Sequence, residues 1–288
     1  MPSMSDIRFH IKSVTQTRQI TNAMHLVSAA RMRKALRNIE QNRAYFYRAI
    51  AAMRDIRYRP SGCSHPYIMH RELTGKSAYI IIAGEKGLSG SYINDVLSVA
   101  DKGLETHDVS HIYTVGAMAA AHYRRRGIEV NENFAHIGED PTINTVRRIV
   151  SIIMDLYDAG EIDELHLVYT RFINTLVHEP VDIKLLPIEL SDFEDVVKPP
   201  DEEILYDPSP EEVFHALVPQ YIIGYVYGAL VHSYASENCA RMTAMENATR
   251  SADEMIESLT QQYHTVRQLN ITNELSEIVS AANALEQG

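Results

Sequence analysis

The chain has 288 residues, 45% apolar and 23% charged, with a net charge of −11. This composition excludes collagen-like, low-complexity and disulfide-stapled classes, and Cys63 and Cys239 are too few for a disulfide framework or a cysteine zinc site. The charge is uneven: residues 1–60 carry 12 Lys/Arg against 3 Asp/Glu, and the rest 15 against 35.

The opening Met1-Pro2-Ser3-Met4-Ser5-Asp6 lacks a basic-then-apolar signal pattern. Apolar runs such as Ala78-Tyr79-Ile80-Ile81-Ile82-Ala83 fall far short of the ~18 residues that span a bilayer. A cytoplasmic, reducing compartment is expected. From Ser3 to Arg59 there is neither Gly nor Pro, and such a stretch predicts a helix of ~50 residues, about 75 Å long. Its apolar residues recur at helical spacing in patches, Ile7-Ile11-Val14, Ile20-Met24-Val27 and Phe46-Ile50-Met53. The pattern is interrupted at Arg31, Arg33, Lys34 and Arg37. A basic arm on an acidic body suits either nucleic acid or acidic protein surfaces. Few aromatics accompany the arginines, which weakens a base-stacking surface.

Ten of the 13 glycines lie between Gly62 and Gly160. This punctuated middle reads as alternating elements: strand Ser77–Ala83, helix Tyr92–Leu104, strand His111–Val115 and helix Ala117–Arg125. Helix Pro141–Tyr157 and strands Glu164–Thr170 and Val181–Pro187 follow, the last two as antiparallel neighbours. Continuous apolar strands of this kind belong to a small buried βαβα sheet. The acidic, proline-bearing stretch Ser191–Pro208 reads as a loop. Ser209-Pro210-Glu211-Glu212 then carries cap, first-turn proline and capping-box signals. Pro219 is expected to break or kink the helix that starts there. Gln220 to Leu285 would span roughly 100 Å of helix. Its predicted seam is Met245, Ala248, Ala252, Met255, Leu259, Gln262, Val266 and Leu269, then Ile271, Leu275, Ile278, Ala282 and Leu285.

The sharpest chemical candidate is Gly84-Glu85-Lys86-Gly87-Leu88-Ser89-Gly90, between a strand and a helix. Dinucleotide-binding enzymes place a phosphate turn there, but the fingerprint needs glycine where Lys86 stands, and no acid ends the second strand at Tyr113-Thr114-Val115-Gly116. A tight strand-to-helix turn is the plainer reading. His107 and His111 are four apart in a stretch that breaks helix, without an acidic partner at metalloprotease spacing. Cys63 and His65 lie in a Pro/Gly-rich linker. Metal, cofactor and catalytic residues are therefore not expected.

Three segments carry a family resemblance. Ile20-Thr21-Asn22-Ala23-Met24-His25-Leu26-Val27-Ser28-Ala29-Ala30-Arg31-Met32-Arg33-Lys34-Ala35 resembles the N-terminal helix of the gamma subunit of F-type ATP synthases. Ser236-Glu237-Asn238-Cys239-Ala240-Arg241-Met242-Thr243-Ala244-Met245-Glu246-Asn247-Ala248-Thr249 and Arg267-Gln268-Leu269-Asn270-Ile271-Thr272-Asn273-Glu274-Leu275-Ser276-Glu277-Ile278-Val279 resemble its C-terminal helix. Gly87-Leu88-Ser89-Gly90 stands where the family has its Gly-Leu-Cys/Ala-Gly turn. The family's Asp-Arg before that turn is Glu85-Lys86 here, its Tyr-Asn after it is Tyr92-Ile93, and its late Gly-Gly-Ala is Ser280-Ala281-Ala282, which favours helix to the end.

The resemblance implies an α/β protein: a long antiparallel coiled coil of the terminal helices (1–59 and 209–288) plus a small Rossmann-like α/β foot domain (75–190). It implies the central rotary shaft of an ion-translocating ATP synthase, coupling rotation of the membrane c-ring to ATP synthesis and non-catalytic itself. The expected partners are the alpha and beta subunits, epsilon and the c-subunit ring, with no nucleic acid. The place is the cytoplasmic face of the cell membrane, peripheral and membrane-associated through the complex alone. Met24, Arg31, Arg33, Lys34, Arg267, Gln268, Thr272 and Glu274 are the expected contacts to the alpha/beta ring, and Tyr206 and Asp207 those to the c-ring. A Rossmann-like nucleotide-binding enzyme with helical arms and a basic coiled-coil scaffold for nucleic acid are the competing readings.

Overall fold

The computed structural model describes residues 3–58, 66–68, 74–131, 134, 142–188 and 206–286, without the side chains of 41–49, 54, 57, 58 and 281–286. The chain divides into two compact units, 29–240 and the pairing of 1–28 with 241–288.

The larger unit is built on a four-stranded sheet of order β2-β1-β3-β4. β1 (Lys76–Ile82) pairs in parallel with β2 (Asp108–Val115) and β3 (Glu164–Phe172), while β3 pairs antiparallel with β4 (His178–Leu186). β1 is central and buried on both faces, which is why its sequence is an unbroken apolar run rather than an alternating one. The period of two nevertheless sorts its side chains. Ala78, Ile80 and Ile82, with Leu165, Leu167 and Tyr169 of β3, face one core. Tyr79 and Ile81, with Val168, face the other. The first core is covered by α4 (Ile143–Asp158), by Ile50, Met53 and Ile56 of α1 (Met4–Tyr58), and by Phe214 to Leu230 of α5 (Pro210–Glu286). The second is covered by α2 (Tyr92–Thr106) and α3 (Ala117–Arg125). Thr142 caps α4 by accepting from the Thr145 amide at 3.4 Å. Ser209 does the same for α5 through the Glu212 amide at 3.2 Å.

The terminal helices are single elements of 55 and 77 residues. Pro219 does not break α5, which runs through it; its apolar neighbours Val218 and Ile222 are fully buried in the first core, so packing outweighs the lost backbone hydrogen bond. An 18-residue window of α5 is apolar enough, by length and composition, to cross a bilayer, yet 44% of it is buried in the protein; that apolarity serves the core.

The seam of α1 differs from the sequence expectation. Met4, Ile7, Ile11, Val14, Thr21, His25, Ser28, Met32, Ala35 and Ile39 are half-buried or buried, stepping by three and four once Arg18 is included. Ile20 and Val27, expected inside, are exposed at 61% and 52%. The basic stretch is not an interruption either: Met32 and Ala35 stay on the seam while Arg31, Arg33, Lys34 and Arg37 fall outside it. Thr, Ser and His lie on this seam, so apolarity alone misplaces it by one residue. On α5 the seam passes through Ile256 and Tyr263, both half-buried, whereas Met255 and Gln262 are exposed. Leu269, Ile271, Leu275 and Ile278 are exposed as well, so among the described side chains of this helix Val266 is the last that is half-buried. Phe46, Ala282 and Leu285, the Cys63-His65 pair and most of the Ser191–Pro208 loop lie outside the described side chains or residues.

Candidate functional site

The smaller unit is a two-helix pair. Its cross-links fix the direction: Arg8 Nη2 donates to the Tyr263 hydroxyl at 3.0 Å, Arg18 forms an ion pair with Asp253, and the Thr21 and Thr249 hydroxyls share a hydrogen bond at 2.8 Å. Rising numbers on α1 meet falling numbers on α5, so the helices are antiparallel. The Arg8 guanidinium also lies 5.7 Å from the Tyr263 ring centroid, within cation–π range. Basic α1 and acidic α5 are thus joined by charge, but the ion pair is half-exposed on both sides, where such pairs contribute on the order of 0–1 kcal/mol. They set register more than stability. At the start of α1, Ser3 and Asp6 cap each other: the Asp6 amide donates to Ser3 Oγ at 3.1 Å, and the Ser3 amide and hydroxyl donate to Asp6 Oδ2. Those bonds hold the Asp6 carboxyl below its ordinary pKa.

Of the expected ring contacts, Arg267, Gln268, Thr272 and Glu274 are exposed, as is every residue from Arg267 to Ser280. The Thr272 hydroxyl is turned back to the Gln268 carbonyl at 2.9 Å, so it is engaged within its own helix. Met24 is half-buried beside the α1 seam. Apolar Phe9, Ile20, Leu26 and Val27 are exposed on α1, a feature the sequence reading placed partly inside. Arg31, Arg33 and Lys34 are exposed on the part of α1 that belongs to the larger unit.

Tyr206 and Asp207 precede α5. Tyr206 packs on the first core, and its hydroxyl donates to Asp55 Oδ2 of α1 at 2.7 Å. Asp207 is exposed.

The Gly84–Gly90 turn is an internal joint. A Cβ on Gly84 would lie 2.9 Å from Oε1 of Glu237, a residue of α5 that is 5% exposed. Glu85 Oε2 accepts from the Ala117 amide at 3.2 Å, so a carboxylate already serves the first turn of α3. The Tyr92 hydroxyl donates to the Ser233 carbonyl at 3.1 Å, tying the start of α2 to α5. Two carboxylates therefore stand where a phosphate would need positive charge or free amides. His107 ends α2 and His111 lies in β2, which separates the pair as expected. His107 instead comes together with Glu164 and His166, a grouping made by sheet register that no spacing in the sequence signals.

The chain matches the ATP synthase family model over residues 3–285. It is 42% identical to the ATP synthase gamma chain of Alkaliphilus metalliredigens (strain QYMF), covering 98% of this chain and 99% of that relative. It is 36% identical to the ATP synthase gamma chain, sodium ion specific, of Acetobacterium woodii, covering 98% and 99%. Among solved structures, a chain of the Euglena gracilis mitochondrial ATP synthase (OSCP/F1/c-ring) is 16% identical with a TM-score of 0.64, covering 99% of this chain and 95% of that one. A chain of the Tetrahymena thermophila mitochondrial ATP synthase central stalk/c-ring is 23% identical with a TM-score of 0.55, covering 80% and 99%. Both likenesses are of fold.

Proposed function

The chain belongs to the ATP synthase gamma chain family, and we propose how its surfaces carry out that subunit's work as the central shaft of an F-type ATP synthase. It is a non-catalytic subunit of the complex. The observation that carries the assignment of surfaces is the end of α5, where Leu269, Ile271, Leu275, Ile278 and Val279 are exposed beside Arg267, Gln268 and Glu274. An apolar and polar helix face left open in the chain itself fits a sleeve of surrounding subunits.

The alpha and beta subunits form that sleeve. Arg267, Gln268, Thr272 and Glu274 face it from α5, and Met24, Arg31, Arg33 and Lys34 from α1. The c-ring and epsilon meet the foot, residues 75–190, together with Tyr206 and Asp207 at the entrance to α5. The terminal helices, 1–59 and 209–288, are the shaft. An asymmetric shaft makes different contacts with each of its surrounding catalytic subunits. Each orientation therefore stabilises a different set of site conformations, and rotation changes their nucleotide affinities in turn. Ion flow through the membrane ring supplies the rotation. The complex places the subunit on the cytoplasmic face of the cell membrane, held there peripherally.

The test is the double variant Arg267→Ala with Gln268→Ala. ATP synthesis is driven by an imposed ion gradient in vesicles, and assembly is checked by native gel. Losing charge-assisted hydrogen bonds of ~1.5–3 kcal/mol lowers synthesis or assembly while the subunit stays folded. Wild-type synthesis in a fully assembled double variant would show the pair to be solvated surface.

A further inference from the structure

A cluster of metal-ligand side chains lies on the α2-facing side of the sheet and has no part in the shaft contacts above. The sheet register assembles it. Tyr79 of β1 is the parallel partner of His166 on β3, and Glu164 lies two residues before His166 on the same face. Asp182 of β4 is the antiparallel partner of Val168, diagonal to His166. His107, at the C-terminus of α2, closes the group from above. Gly103 allows that approach, because a Cβ there would lie 2.7 Å from Asp182 Oδ2 and 2.9 Å from the Tyr79 hydroxyl.

His166 is held between two carboxylates. Its Nδ1 lies 3.1 Å from Asp182 Oδ1, and its Nε2 lies 3.3 Å from Glu164 Oε2. The Tyr79 ring stacks on it at 4.7 Å and 8°, which fixes the imidazole plane. A neutral imidazole has one N–H, so only one of these two contacts can then be a hydrogen bond. The other ring nitrogen offers its lone pair beside a carboxylate oxygen, a pairing that a metal ion bridges. His107 supplies a third ligand atom within 4.8 Å of the other two. Two imidazoles and one carboxylate are a donor set used for zinc with an open fourth position. A tetrahedral zinc with bonds of ~2.0–2.1 Å holds its ligand atoms ~3.3 Å apart, the spacing already present between His166 and Glu164.

The surroundings match a metal centre in a second respect. A metal-bound histidine donates its other ring N–H to a carboxylate or carbonyl, which orients the ring and raises its basicity. Asp182 stands in that place for His166. Asp182 is itself an acceptor for the Tyr79 hydroxyl at 3.3 Å. His107 Nδ1 lies 3.1 Å from the Gly103 carbonyl. The His166 side chain is 8% exposed and those of Glu164 and Asp182 are 21% exposed, so the centre is enclosed yet open to solvent beside the carboxylates.

We propose that His107, Glu164 and His166 form a site for one divalent cation of the zinc class, with Asp182 as the positioning residue for His166 and a water completing the shell. The ion pins the C-terminal end of α2 to β3, so its role is structural.

The experiment uses the full chain, stripped with chelator. Zinc chloride titration is followed by calorimetry, cobalt(II) by its visible spectrum, and thermal unfolding is measured with and without zinc. Saturable one-to-one binding, cobalt bands of a four- or five-coordinate nitrogen/oxygen site, and a raised Tm are expected. His107→Ala, at a half-exposed helix end, abolishes binding while circular dichroism stays unchanged. Asp182→Asn keeps all three ligands and weakens zinc by about 10–100-fold. Absence of saturable binding, or binding that survives intact in His107→Ala, overturns the proposal and leaves the cluster as a hydrogen-bonded group within the sheet.

Discussion

Single positions are decided by what lies within a few ångströms of them. Gly116 has φ +101°, and a Cβ there would stand 2.2 Å from the Ala83 carbonyl oxygen. Both the backbone conformation and the space demand glycine. Gly116→Ala is expected to destabilise the larger unit by at least ~1–3 kcal/mol from the backbone alone, measured as a lowered urea midpoint; an unchanged midpoint would refute it. Burial lowers the His178 pKa below its ordinary 6.5, and burial together with the nearby Arg171 cation lowers that of His232. A depressed histidine takes up its proton first in the unfolded chain. Its share of stability is therefore present above pH 6.5 and is lost as the pH falls toward the folded-state value. Thermal unfolding should show Tm falling with acidification through that window, less steeply in His232→Gln. Equal slopes for variant and parent would remove His232 from the account.

Elements are governed by which face they bury. The α1–α5 seam accepts Thr21 and Thr249 because each hydroxyl also has a backbone carbonyl of its own helix in reach, Arg18 and Met245 respectively. Small polar side chains that satisfy themselves locally can occupy seam positions without an orphaned donor. A double-mutant cycle tests this. Thr21→Val and Thr249→Val are each expected to cost about 1 kcal/mol, the shared hydroxyl bond, and the double variant costs less than the sum because that bond is already gone after the first change. Strictly additive losses would show that the 2.8 Å contact contributes nothing. The same seam explains why apolar spacing misread α1. Ile20 and Val27 follow the helical period, but the seam runs through Thr21 and Ser28, one residue on.

At the scale of the whole molecule, the absence of a nucleotide fingerprint in the sequence and the carboxylates at the Gly84 turn lead to one expectation. The full chain is expected not to bind ATP or NAD, with or without magnesium, and calorimetry is the measurement that checks it. Micromolar binding abolished by Gly87→Ala would contradict it. The physical reason is electrostatic: Glu237 is buried against the turn, and bringing a phosphate beside a buried carboxylate adds repulsion in a low dielectric.

Element order, the two long terminal helices and the family can be read from the residues alone. Helix length is written in the lack of Gly and Pro, strands buried on both faces in unbroken apolar runs, and the family in motifs distributed along nearly the whole chain. The antiparallel pairing of the strands expected at Glu164–Thr170 and Val181–Pro187 was legible, but their ends were not: they run Glu164–Phe172 and His178–Leu186. Tertiary structure alone decided the seam register, the passage of α5 through Pro219 and the meeting of His107, Glu164, His166 and Asp182. A seam is chosen by fit and by satisfied polar groups as well as by apolarity. Pro219 is carried by the core on either side of it. The histidine cluster exists because a parallel and an antiparallel register place distant residues on one face of a sheet, and neither register is written in local spacing.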